Sequence, residues 1–247
     1  LGEGRGDHGR IMMAASMLCT DTIDELEAID AYAPDIRAFI ASLEPPAWPF
    51  DIDAEPALAG RTVAVVGATG GLGTALCRAL AARGASVMLL GRKLKRLEQL
   101  YDVIEPLGDA RPAMAELDLA KTGTDDARAV AEMLFAEFGK LDALVLAAAD
   151  GGTPTPQAGV SDAEFERVMR INVAGPRALL VGLMPLLHRA GLPSITALLD
   201  ARPRDHAGAY TGAYGIAKLA LHGLMLQCAA ENDHLRHGDD VPKLAIN

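Results

Sequence analysis

Aromatic residues make up only 4% of the 247 residues, with one tryptophan among them. A base-stacking platform or an aromatic sugar cleft needs more. Basic residues are also in deficit, since 33 Asp and Glu stand against 23 Lys and Arg and leave a formal charge of −10. That argues against a broad nucleic-acid or acidic-membrane surface, because either needs clustered cations to neutralise phosphates. The three cysteines, Cys19, Cys77 and Cys228, are far apart, with no CxxC or Cys/His cluster. They support neither a disulfide framework nor a zinc site, and Cys77 and Cys228 read as small buried side chains on helices. His234 and His237 are spaced three apart, but no third ligand converges from their segment, and His206 and His222 read with them as solvated helix-end residues. No metal is expected. No apolar run reaches the ~18 residues of a membrane span, and residues 12–19 are too short for a secretory core and meet Asp21 at once. The expected compartment is the cytoplasm.

Half of the chain is apolar and 23% is charged, an ordinary globular balance. Residues 1–56 read as an extension. Its first ten residues are Gly-rich and aperiodic, so translation is expected to start at Met12 or Met13. Thr22 and Glu25 fit a capping box ahead of Leu26, Ile29, Ile36, Phe39, Ile40 and Leu43, a short amphipathic helical stretch broken at Pro34. Pro45, Pro46, Pro49 and Pro56 then form a stiff connector carrying Trp48, which fits a tether or a partner-docking segment.

From residue 57 onward one domain is expected. Strand-length apolar runs at 62–66, 86–90, 143–147 and 194–199 alternate with helix-period stretches at 72–83, 93–104, 125–138 and 163–188. Strands that are apolar throughout and separated by helices predict a doubly wound, Rossmann-type α/β domain, its parallel sheet covered on both faces.

The first such strand runs into a turn containing Gly67, Gly70, Gly71 and Gly73, with Ala68, Thr69 and Leu72 between them, and then a helix. Glycines let the backbone approach a pyrophosphate, and the helix N-terminus offers free N–H groups and a favourable dipole. The position between the first strand and first helix is the context that gives the pattern meaning. The second strand ends in Gly91, Arg92 and Lys93, with no acid to hold ribose hydroxyls. Two cations there suit a 2′-phosphate, so NADP is preferred to NAD.

The spacing Gly67-x-x-x-Gly71-x-Gly73 resembles the short-chain dehydrogenase/reductase family, and three further blocks agree. They are Asp118 and Leu119 after the third strand, Asn172 in the fourth crossover helix, and the Tyr214-x-x-x-Lys218 pair. The resemblance covers most of residues 60–247. It implies that Gly67, Thr69, Gly70, Gly71, Leu72, Gly73, Arg92, Asp118, Leu119, Ala148 and Lys218 bind the dinucleotide. It also implies that Tyr214, Lys218 and Asn172 are catalytic, Asn172 by supporting a water that relays the proton. The Tyr214–Lys218 chemistry has an independent argument. Four residues apart on a helix they share a face, and an ammonium beside a phenol of pKa ~10 favours the phenolate. Tyr214 then serves as acid or base while a hydride moves.

Several positions depart from the family. Its carbonyl-binding Ser falls in register at Ala201, preceded by Asp200, whose protonated form could donate instead. Its Asn-Ala-Gly after the fourth strand is Ala147, Ala148 and Ala149, and Val66 replaces a Thr. The last residues, 241–247, read as the opening of a sixth strand, so the chain is expected to be incomplete at its C-terminus. The expected activity is NADP(H)-dependent carbonyl reduction or alcohol oxidation on a small molecule. A catalytically impaired dinucleotide-binding sensor or scaffold is the alternative, and sugar epimerisation or dehydration would use the same Tyr and Lys. A homodimer or homotetramer is expected by resemblance alone. Ala217, Ala220, Leu221 and Leu224 fit its interface or equally the core.

Overall fold

The computed structural model describes residues 58–200, 209–235 and 244–246. The expectations for residues 1–56, and those for Ala201, His206 and His237 and the side chain of His234, lie outside the described residues.

Six parallel strands form one sheet. They are β1 (Thr62–Val66), β2 (Ser86–Gly91), β3 (Ala113–Glu116), β4 (Ala143–Leu146), β5 (Ser194–Ala197) and β6 (Ala245–Ile246), in the spatial order β3-β2-β1-β4-β5-β6. The connecting helices are α1 (Gly71–Ala82), α2 (Leu94–Ile104), α3 (Thr124–Phe138), α4 (Asp162–Met169), α5 (Gly175–Leu187) and α6 (Gly212–Leu235). The expected parallel, doubly wound sheet is the one found.

Alternation along the central strands assigns each face. Ala64, Val66, Met88 and Leu90 pack with α3, α5 and α6 through Val130, Leu134, Leu179, Leu183 and Leu221. Val63, Val65, Val87 and Leu89 point the other way, onto Cys77 and Ala81 of α1 and Leu97, Leu100 and Ile104 of α2. Side chains alternate across a strand, so a strand with both faces covered must be apolar at every position. β1 is buried at all five.

Most boundaries fall within a residue of the sequence reading, and two differ by more. The stretch expected as one helix over 163–188 is α4, a π-helical turn (Arg170–Ala174) and α5 in unbroken succession. The strand expected over 194–199 stops at Ala197, and Leu198 donates its N–H to the Leu146 carbonyl at 3.1 Å before the chain leaves the sheet. β3 carries too few consecutive apolar residues to announce itself. Its register, Met88 opposite Ala113 through Gly91 opposite Glu116, comes from pairing with β2.

The strand order changes side between β1 and β4, since β1 to β3 extend toward one edge of the sheet and β4 to β6 toward the other. The paired register of β1 and β4, Val63 with Ala143 through Val66 with Leu146, brings Gly67 and Ala147 to adjacent strand ends. In open α/β sheets this switch point opens a crevice at the carboxyl ends of the strands.

Candidate active site

The glycine turn is built by close backbone approach. Gly67 has φ +86, and a Cβ on it would stand 2.7 Å from the Ala148 backbone nitrogen. A Cβ on Gly73 would lie 2.1 Å from the Gly67 carbonyl oxygen. Gly71 differs, since beyond its chain neighbours and its own helix backbone no described atom lies within 4 Å of where its Cβ would be. Gly70 caps α1 and has no side chain to satisfy the first-turn N–H groups, which helices otherwise pair with a cap, water or ligand. Thr74 Oγ1 holds the Ala68 carbonyl at 3.1 Å and braces the turn from inside. A cradle that a Cβ would fill, beside uncapped N–H groups, fits a dinucleotide pyrophosphate.

Along the crevice, Gly91 is buried, and a Cβ there would meet Leu97 at 3.2 Å and Thr69 Oγ1 at 3.5 Å. Arg92 and Lys93 follow it, exposed, at the entrance to α2. Asp118 Oδ1 accepts from the Ala120 N–H at 3.1 Å, and Leu119 is buried. Gly175 sits where a Cβ would stand 2.8 Å from the Leu119 carbonyl, which is why α5 can start against this loop. Arg170, absent from the sequence reading, holds the loop from the π turn by donating to the Ala120 carbonyl at 3.2 Å and the Thr122 carbonyl at 3.1 Å.

Tyr214 lies in the first turn of α6 and Lys218 one turn later, with Nζ 5.7 Å from the Tyr214 ring centroid. Lys218 is 4% exposed and donates to the Leu198 carbonyl at 2.6 Å, just past the end of β5. Burial holds its ammonium below the usual lysine range, while the charge of Asp200 pulls it back up. Ala217 and Leu221 are core residues and Ala220 and Leu224 are half-buried, so these four do not form an exposed face.

Asn172 is 1% exposed within the π turn. Its Oδ1 accepts from the Asp150 N–H at 3.1 Å, and its Nδ2 donates to the carbonyls of Asp150 and Val168, each at 2.9 Å. The amide is therefore committed to the β4–α4 connection and to a carbonyl four residues back on its own helix. Asp150 is fixed from its other side by an ion pair with Arg167 and by accepting from the Gly152 N–H at 3.0 Å. Sequence reasoning missed Asp150 and Arg167, because an Asp after three alanines and an Arg on a charged helix carry no spacing signal.

A family model for short chain dehydrogenases matches residues 61–236. The chain belongs to that family of oxidoreductases. It is 28% identical over 171 residues to the uncharacterized oxidoreductase YciK of Escherichia coli K12, covering 69% of this chain and 68% of that one. A solved structure from Pseudomonas syringae has 35% identity and a TM-score of 0.72, covering 80% of this chain and 78% of the other. A Shigella flexneri structure solved in complex with NADP has 27% identity and a TM-score of 0.70, covering 76% and 74%.

Proposed function

We propose that the protein is an NADP(H)-dependent reductase of small carbonyl compounds, or the corresponding alcohol dehydrogenase, with Tyr214 as acid and base. The observation that carries this reading is the Tyr214–Lys218 pair, with its buried ammonium, at the same sheet end as the uncapped glycine turn. The nicotinamide, when bound, supplies or accepts the hydride. During reduction Tyr214 gives its phenolic proton to the substrate oxygen, and during oxidation it takes one back. The Lys218 ammonium favours the phenolate. One of its three donors is spent on Leu198, and the others suit the ribose hydroxyls and a relay water. Asn172 braces the crevice through Asp150. Arg92 and Lys93 favour a 2′-phosphate, in line with the NADP bound by the Shigella flexneri relative.

Oligomerisation belongs to the same proposal. Ile216, Leu219 and Leu226 on α6 and Val181 on α5 are exposed apolar residues suited to pairing subunits.

Calorimetric titration with NADPH and NADH, followed by turnover on a panel of aldehydes and ketones, tests the reading. NADPH is expected to bind at least about tenfold tighter than NADH, a difference of ~1.4 kcal/mol. Tyr214→Phe is expected to keep that affinity and lose turnover. NADPH binding without turnover on the whole panel would favour the second reading, an impaired dinucleotide-binding sensor or scaffold. That reading rests on Ala201 standing in register with the family's Ser. Losing one preorganised donor typically costs ~10²–10³ in turnover, so Ala201→Ser is expected to restore about that factor.

A further inference from the structure

Tyr214 occupies a vulnerable place. It is the third residue of α6, and helix ends fray more readily than interiors unless neighbouring structure holds them. Ahead of it, Gly212 has φ +55 and Tyr210 φ +65, the latter a left-handed conformation uncommon outside glycine. Something other than helix propensity must hold this turn in place.

The connection between β4 and α4 is built to do so. Gln157 Nε2 donates to the Gly212 carbonyl at 2.5 Å. The Thr153 carbonyl lies 2.7 Å from where a Gly212 Cβ would be, and Val160 Cγ2 3.8 Å from it, so the loop rests directly on the helix start. Val168 of α4 packs with Ala213 and Ala217 of α6, all three buried, with Val160 against them. At its other end the same loop is anchored to α4 and the π turn. Asp150 pairs with Arg167, the Asp150 backbone is held on both sides by Asn172, and the Thr153 N–H donates to Glu164 Oε1. A fixed loop therefore reaches from the Asn172 brace to a point two residues before Tyr214.

We propose that residues 150–160 form a clamp in which Gln157, by holding the Gly212 carbonyl, ties the start of α6 to the loop and keeps Tyr214 in front of Lys218. Gln157 is a positioning residue, since it acts through Gly212 on Tyr214. The inference rests on the catalytic reading of Tyr214 and Lys218. It also accounts for Gly212, because any side chain there would drive the Thr153 carbonyl off the helix.

The test compares Gln157→Met, which keeps the length and loses the donor, with Gln157→Lys, which restores a donor. Gln157 is exposed on a short 3-10 turn, so both variants are expected to fold. Ultraviolet titration, with the Tyr214→Phe protein as the blank, reads the ionisation of Tyr214 alone and needs no turnover. Gln157→Met is expected to move that midpoint to higher pH by roughly one unit as the phenol moves away from the ammonium, with NADPH affinity unchanged. Gln157→Lys is expected to return it to the wild-type position. In turnover, kcat is expected to fall about tenfold for Gln157→Met with KM for NADPH unaltered. An unmoved midpoint in Gln157→Met, or a lowered melting temperature with no change in midpoint, would overturn the clamp. Failure of the wild-type protein to bind NADPH would instead overturn the cofactor reading, and the phenol titration would still decide on Gln157.

Discussion

Gly71 and Gly73 are two residues apart on α1, and the structure assigns them opposite reasons for being glycine. A Cβ on Gly73 would sit 2.1 Å from the Gly67 carbonyl oxygen and 2.9 Å from its carbon. Ordinary van der Waals contact begins more than an ångström farther out, and the obstructing atoms are backbone that cannot rotate away. Gly73→Ala must therefore lift α1 off the turn after β1. Overpacking of this kind costs typically 1–3 kcal/mol, and for a domain of 150–250 residues 1 kcal/mol corresponds to ~2–4 °C in Tm. A loss of 2 kcal/mol thus predicts a fall of ~4–8 °C. At Gly71 there is no described atom within 4 Å beyond its neighbours and its own helix backbone, and no positive φ. Gly71→Ala is expected to leave Tm unchanged or to raise it slightly, because alanine restricts the unfolded chain more than glycine does. Its methyl group would nonetheless enter the space assigned to the pyrophosphate. NADPH affinity is expected to fall at least about tenfold, or ~1.4 kcal/mol. Thermal melts and calorimetric titration of the two variants give the four values required. A Gly71→Ala protein that binds NADPH like the wild type would refute the placement of the phosphates. An unaltered Tm in Gly73→Ala would refute the close approach.

Two further outcomes follow from buried polar groups. Asp142, 4% exposed, accepts the Thr62 N–H at 2.8 Å and lies between Arg61 and Lys140 at 3.2 and 3.0 Å. Asp142→Ala leaves a buried N–H at the start of β1 without its acceptor, so a loss of about 1–3 kcal/mol is expected in urea unfolding, with NADPH affinity retained. Asp200→Asn removes the charge that holds the Lys218 ammonium up against its burial. Lys218 would then lose its proton at lower pH, and the alkaline limb of turnover is expected to move to lower pH. Stability has the matching sign. The folded-state pKa lies below the 10.5 of a free lysine, so the unfolded chain binds more protons between the two values and stability rises with pH across that window. The variant widens the window downward, which urea unfolding at stepped pH would show.

The architecture was legible because it depends on patterns that sequence carries directly. β1 is apolar at five consecutive positions, and the sheet places it at the centre with both faces covered. The glycine turn and the Tyr214–Lys218 spacing were legible for the same reason, since each is a local arrangement whose geometry follows from short-range periodicity. β3 was weakly marked because its burial comes from neighbours, and the π turn because one extra residue per turn leaves no trace in composition. The supports of the site were not legible at all. Asp150 meets Arg167 and Asn172, and Gly212 meets Gln157 and Thr153, across separations of 17 to 59 residues, and no local rule pairs them.

The three alanines after β4 acquire a physical reading only from that arrangement. In family members an amide in this run helps to hold the sheet end together. Here Gly67 and Ala148 approach so closely that a Cβ on Gly67 would stand 2.9 Å from the Ala148 methyl. Ala148 also packs on the core, and Ala147 donates its N–H to the Val66 carbonyl at 2.9 Å. Small side chains thus let the ends of β1 and β4 close by backbone contact, and the amide that fixes the next residue is supplied by Asn172 from the π turn. Replacing the run with alanine therefore removes a side-chain hydrogen bond at the switch point without opening it. The dinucleotide cradle and the brace behind Tyr214 depend on separate contacts, so loss of turnover need not bring loss of cofactor binding. On the proposed reading the chemistry can thus be tested apart from cofactor binding, and Ala201→Ser, with NADPH affinity measured beside turnover, is the substitution that separates a slow enzyme from a binding protein.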